Sequence, residues 1–297
     1  MALPGRGFRV DYGTLFFQLL LTGIFLSALY ILMTLGLTLI FGVMEIVNFA
    51  HGAFAILGGY ACLLMATGFG MDPLVALIPV TLVMAIVGFV TFSIFTRFTF
   101  DLGDAHVVHY YALMLIISNI LALLFGLDYR FIQTSYGYEQ IHLGNLKYPL
   151  IKIIVTFFSL GIVIGVSLFL RYSMTGKRIR AVSQNREAAE ILGIDALSAR
   201  RITWVIGIAS AGLMGALVGL VNPFSPYAGT TYLITAFSVA ILGGMGSMFG
   251  TLIAGFIVGM SESLFSILLP SQITPVIAFL LIIFALLIRP EGLFSRN

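Results

Sequence analysis

The chain has 297 residues, 60% of them hydrophobic and only 9% charged. Soluble domains average about 45–50% apolar and about 25% charged residues, so this composition, with a mean hydropathy of +1.10, excludes an ordinary soluble domain. Its 15 Lys and Arg against 12 Asp and Glu leave a net charge of +3, too small to argue for nucleic acid.

Charges and turn residues divide the sequence into nine apolar blocks, at about 14–44, 48–67, 73–95, 110–125, 150–170, 202–221, 232–244, 250–269 and 273–288. Hydrocarbon offers backbone groups no partner, and runs of this length satisfy themselves as α-helices. Residue-by-residue alternation, the mark of a membrane barrel, is absent. The expected fold is therefore an all-α polytopic membrane protein forming a single transmembrane domain over 1–297. Eight or nine spans use roughly 160–190 positions, which leaves no room for a separate catalytic domain of about 100–200 residues. The block before Gly244 is short, so counts of eight and nine both stand. Arg6 and Arg9 precede the first block, but Asp11 interrupts the approach. The apolar run also outlasts the roughly 7–15-residue core of a signal peptide, so it reads as a retained first span.

Orientation rests on the segment 171–201, where Arg171, Lys177, Arg178, Arg180, Arg186, Arg200 and Arg201 face only Glu187, Glu190 and Asp195. The positive-inside rule places it in the cytoplasm. Counting back puts the N-terminus and 127–148 outside and the 97–104 connection inside. With nine spans, the end bearing Arg289 and Arg296 is also inside. Arg6 and Arg9 run against this scheme.

Glycines recur at four-residue spacing in Gly161/Gly165, Gly215/Gly219, Gly246/Gly250 and Gly255/Gly259, a pattern that lets helix backbones approach closely, within one chain or against a second. The string Ala55–Gly59 reappears as Ala240–Gly244, with the two copies running in opposite directions on the nine-span count. That is the arrangement an inverted repeat requires.

Enzymatic signatures are missing: there is no HExxH, no G-x-S-x-G and no Cys/His cluster with zinc spacing. The glycine run 243–250 lacks the Lys-Ser/Thr of a phosphate loop, and packing or helix breaking accounts for it. Cys62 has no cysteine to pair with and reads as a small buried apolar residue. No catalytic function, metal or cofactor is expected.

The basic segment carries the most information. Ser183 or Asn185 is placed to cap a short helix, Glu187 and Glu190 sit near its positive end, and Gly193 supplies a left-handed stop. Asp195 caps the next helix. The short helix shows Ile191, Leu192 and Ile194 among charges. It is either a solvated connection that orients the protein or a docking element for a cytoplasmic partner.

Glu187-Ala188-Ala189, three residues, then Gly193 resembles the EAA-x-x-x-G core of ABC importer permeases. The longer string 176–195, Asn48-Phe49-Ala50-His51-Gly52, the glycine-rich stretch after Ala240 and the ending Arg289-Pro290-Glu291-Gly292-Leu293-Phe294 are similar to the branched-chain amino-acid permeases of LivH/LivM type, more LivH than LivM. Arg201-Ile202-Thr203-Trp204 stands where the wider importer pattern has Ile-x-Leu-Pro. The resemblance implies a multi-pass permease subunit in the bacterial inner membrane, paired with a second homologous permease. It also implies two cytoplasmic ATPase subunits and an extracytoplasmic solute-binding protein that carries most of the selectivity. Glu187, Ala188, Ala189, Ile191, Leu192 and Gly193 then form the ATPase-coupling contact. The solute is a branched-chain amino acid or, within the same family, urea, a short amide or an aromatic acid. An autonomous channel or secondary transporter is the alternative of another class, and it needs intramembrane charge.

Polar residues inside apolar blocks are functional hypotheses by default. Glu45, Asn48, His51 and Glu262 are the candidates for a translocation path. Asn48 and His51 equally suit a capped helix break. Glu262, with Ser261 and Ser263 beside it to help satisfy it, suits a buried structural carboxyl or one facing the companion subunit more than a proton carrier.

Overall fold

The computed structural model describes residues 12–96, 106–144, 146–269, 276–289 and 292–294. Arg6, Arg9, Asp11, the 97–104 connection, Pro290, Glu291 and Arg296, which enter the orientation and family arguments, lie outside the described residues.

The apolar blocks fold as helices with small shifts at their ends. They are α1 (Tyr12–Met44), α2 (His51–Gly68), α3 (Pro73–Thr91), α4 (His106–Phe125), α5 (Leu150–Tyr172), α8 (Ala196–Gly219), α9 (Gly229–Gly243), α10 (Met248–Phe265) and α11 (Val276–Ile288). Two further helices, α6 (Met174–Gln184) and α7 (Arg186–Ile191), form the α5–α8 connection. Among the described residues seven helices are long and apolar enough to cross a membrane, and α9 and α11 are shorter apolar helices. The chain is a multi-pass membrane protein.

Local chemistry sets the ends. Asp72 caps α3 by accepting from Leu74 N at 2.9 Å, with Pro73 in the first turn, where its missing N–H costs nothing. Beyond Thr91 the helix widens into a π-turn, Phe92–Thr96. The connection between α4 and α5 contains a hairpin, β1 (Gln140–Leu143) against β2 (Leu146–Pro149), with Ile141 opposite Tyr148. At the same end Arg130 and Phe224 exchange backbone hydrogen bonds at 2.8 and 2.9 Å. The Tyr136 hydroxyl donates to Asp72 Oδ1 at 3.0 Å. Burial, and then that carboxylate, push the Tyr136 phenol well above its ordinary range.

The helices form an inner and an outer set. The apolar windows of α1 and α8 are each 72% buried, against 28% in α3 and 22% in α4 and α5. Because lipid tails are as apolar as leucine, the inner set holds together by close backbone packing. A Cβ added at Gly58 would lie 2.2 Å from Gly212 O, and one at Gly215 would lie 1.7 Å from Ala55 O. Three of the four glycine pairs noted above pack inside the chain, whereas Gly161 and Gly165 on α5 meet nothing within 4 Å.

The pattern of neighbours is two-fold. α1 packs on α10 as α8 packs on α3, and α2 on α8 as α9 on α1. The pairs α2–α3 and α2–α4 are matched by α9–α10 and α9–α11, while α1–α8 and α2–α9 are their own counterparts. Helices α1–α4 and α8–α11 are thus two copies of one packing unit. They are inverted, because α1 runs toward the α5–α8 connection and α8 runs away from it. The five-residue echo does not mark this repeat. Gly52 at the start of α2 packs on Gly229 at the start of α9, which sets Ala55–Gly59 one turn into its helix and Ala240–Gly244 at the end of the other. The repeat lives in shape, and the echo is out of register with it.

Two helices start deep inside the bundle. His51, the first residue of α2, bonds through Nε2 to Met33 O at 3.0 Å. Met33 lies 11 residues before the end of α1, or about 16 Å along its axis. Residues 45–50 therefore climb back into the bundle before α2 begins. Its counterpart α9 begins at the same depth, against Gly52.

Candidate functional site

The α5–α8 connection is stiffer than its charge content suggests. Ser173 caps α6, its Oγ accepting from Gly176 N at 2.8 Å. Ile179 and Val182 turn inward while Lys177, Arg178 and Arg180 stay exposed. This helix is absent from the sequence reading, although Ile179 and Val182 carry the i, i+3 signal for it. Asn185, rather than Ser183, caps α7 by accepting from Ala188 N at 2.9 Å; the Ser183 hydroxyl donates to Arg180 O at 2.9 Å. Arg186 and Glu190 form an exposed i, i+4 ion pair at 2.9 Å, worth about 0.3–0.5 kcal/mol. Gly193 ends the turn at φ 78°, and the Ile194 N–H returns to Ala189 O at 3.0 Å, closing the left-handed stop. Asp195 then caps α8 through Ser198 N at 3.0 Å.

The six candidate coupling residues divide. Ile191 and Leu192 are 85% and 79% exposed, and Glu187, Ala188 and Gly193 are also exposed. Ala189 is buried within the chain, so it supports the stub rather than its outer face.

The four candidate path residues are scattered. Asn48 and His51 are fully buried at the return into the bundle. Asn48 Oδ1 accepts from Ala50 N at 3.0 Å, and Asn48 Nδ2 and His51 Nδ1 have no partner. Both side chains tie the helix break together. Glu262 is buried on α10, where Oε2 accepts from the Tyr30 hydroxyl of α1 and Oε1 is unpartnered. Its neighbour Ser263 instead donates to Leu19 O at 2.6 Å. Tyr30 went unassigned in the sequence, yet it is the only tyrosine in the block 14–44, and a buried tyrosine hydroxyl usually seeks a partner.

Glu45 is exposed at the end of α1, with φ 56°, the only non-glycine residue at positive φ among the described residues. It stands on a cavity of about 570 Å3 walled by α1 from Ile31 to Val43, by Leu170, Ile179, Arg180 and Ser183, and by Met245–Leu252. The 14 helical rises from Ile31 to Glu45 extend it about 21 Å along α1. In its wall the Thr38 and Thr251 hydroxyls are hydrogen-bonded at 2.9 Å. The family-like ending closes over one side. Leu293 N bonds to Leu242 O at 3.0 Å, and the Phe294 ring meets that of Phe249 edge-on at 6.0 Å. Among the described residues no group of three His, Cys, Asp or Glu is placed to hold a metal ion.

Comparison with known proteins accounts for this arrangement. The family model described as branched-chain amino acid transport system, permease component, matches residues 19–288. A probable branched-chain amino acid transport permease protein LivH of Methanocaldococcus jannaschii is 31% identical over 281 residues, covering 90% of this chain and 89% of its own. The LivH high-affinity permease of Escherichia coli K12 is 29% identical over 303 residues, covering 95% and 96%. The corresponding LivM of that organism is 25% identical and covers 80% of this chain and 62% of its own, so the likeness is greater to LivH. No solved structure matches. With the match running from α1 to the end of α11, the chain belongs to the branched-chain amino-acid transport permease family.

Proposed function

We propose that the chain is the membrane-spanning permease subunit of an ATP-driven importer for branched-chain amino acids, seated in the inner membrane of a bacterial cell. The relatives named above are permeases of branched-chain amino acid transport, and sequence similarity along nearly the whole chain supports the same cargo here. A second permease related to LivM, two cytoplasmic ATPase subunits and an extracytoplasmic binding protein complete the machine. The flat α5 face at Gly161 and Gly165, open to 4 Å, suits a second permease packed at short range.

One observation supports the coupling role above the others. Ile191 and Leu192 project from a helix capped at both ends, at the base of the inner helix α8. A six-residue helix is too short to be stable by propensity, so caps and a docking surface give it order. Glu187, Ala188, Ile191, Leu192 and Gly193 form the docking face, and Ala189 anchors it to the bundle. Of the four path candidates Glu45 meets the solute, while Asn48, His51 and Glu262 fix helix positions.

The test is Ala188→Trp and Gly193→Val in the assembled transporter. Both variants accumulate in the membrane, since no span changes, but lose leucine uptake and the solute-stimulated ATPase activity. Uptake at the wild-type rate by Ala188→Trp would show that the stub is only a connection.

A further inference from the structure

The cavity along α1 has a chemical character that the coupling role does not use. Arg180 and Glu45 both line it and both are exposed at its open end. They are not ion-paired with each other, and the other cation within reach of the Glu45 charge is the half-buried Arg200 at the base of α8. Arg180 spends one of its N–H groups on Arg171 O at 3.1 Å, and a guanidinium has five. Deeper in, Leu35, Leu39 and Leu252 make the wall apolar. The volume of about 570 Å3 falls within the roughly 300–1,000 Å3 of small-molecule pockets.

The backbone at Glu45 adds a second, independent observation. A φ of 56° is uncommon for a residue with a side chain, and such strain collects where the surroundings hold a group in place for a task. The last hydrogen bond of α1, Glu45 N to Phe41 O at 2.8 Å, fixes where the carboxylate starts.

We propose that this cavity binds the free zwitterion of an aliphatic amino acid, with Arg180 on the carboxylate, Glu45 on the ammonium group, and Leu35, Leu39 and Leu252 around the side chain. The inference rests on the transport reading and supplies the permease with a recognition site of its own. Two opposite charges kept apart select by repulsion as well as attraction. A fatty acid satisfies Arg180 but meets Glu45, and an alkylamine does the reverse.

The experiment uses the purified full-length chain with Cys62→Ala and Ser183→Cys, in a detergent free of aminophospholipid so that no zwitterionic headgroup competes. Maleimide labelling of residue 183 is followed with L-leucine, 4-methylpentanoate or 3-methylbutylamine. Leucine slows labelling about five-fold at roughly four times its Kd, and the two singly charged analogues leave the rate unchanged. Adding Glu45→Gln lets 4-methylpentanoate protect as well. No protection by leucine, or equal protection by all three compounds, would overturn the assignment. Ser247→Cys serves as a second reporter if the first fails to fold. ATP-driven leucine uptake by the reconstituted transporter is measured in parallel. Uptake without protection sinks the site and keeps the transport reading; protection without uptake does the opposite.

Discussion

At the crossing of the inner helices a Cβ on Gly215 would lie 1.7 Å from Ala55 O, whereas at Gly193 in the α7 stub it would meet nothing within 4 Å. One glycine is required by proximity and the other by torsion, since Gly193 sits at φ 78°. Inside the bundle, small residues bring backbones together where lipid leaves no hydrophobic drive between helices. In the stub they end a helix abruptly and leave Ile191 and Leu192 uncovered. The bundle spends its small residues on cohesion and the stub spends them on presentation. If the stub couples transport as proposed, stability and transport fail separately when the two regions are altered.

The largest expected effect comes from Gly215→Val. Two helix backbones would have to part, and neither offers a flexible side chain to yield. The cost is at or above the upper end of the about 1–3 kcal/mol of ordinary overpacking, and the protein fails to accumulate in the membrane. Normal accumulation with an unchanged melting temperature would mean that α2 and α8 are not held at this distance.

Tyr30→Phe is expected to cost less. It strips the buried Glu262 carboxyl of its described partner, and an unsatisfied buried polar group costs about 1–3 kcal/mol. Thermal melting in detergent reads this, and Tyr30→Phe combined with Glu262→Leu recovers part of the loss because both polar partners are then gone. A double variant that melts below Tyr30→Phe would show the pair to be more than a mutual tie.

The smallest effect on stability belongs to Leu192→Ser. The side chain is 79% exposed, so stability changes by no more than about 0.5 kcal/mol while uptake is expected to fall sharply. A large stability loss would place Leu192 inside the chain's own core and remove the contrast between the two regions.

Much of the fold was legible in sequence because hydrocarbon enforces it. Block boundaries and helix ends agree to a few residues wherever a cap is local, as at Asp72, Asn185 and Asp195. What escaped depends on three-dimensional apposition. Nothing in the string shows that α2 starts beside Met33 or that Tyr30 reaches Glu262 across 232 positions. The repeat is likewise written in which helix lies on which, and the one textual echo pointed to the wrong register. In the candidate site, the exposed pair and the stop at Gly193 follow from short-range rules. The inward turn of Ala189 and the cavity at Glu45 do not, because both need α1, α6 and α8 already assembled around them.

The deep starts of α2 and α9 also bear on the electrostatics of the bundle interior. Each helix N-terminus carries roughly half a positive charge from its aligned peptide dipoles, and both lie at the level of Gly52 and Gly229. Two like poles at one depth raise the potential in the middle of the bundle, where the low dielectric leaves it poorly screened. A cation brought to that depth would climb the potential, whereas a group of zero net charge would not.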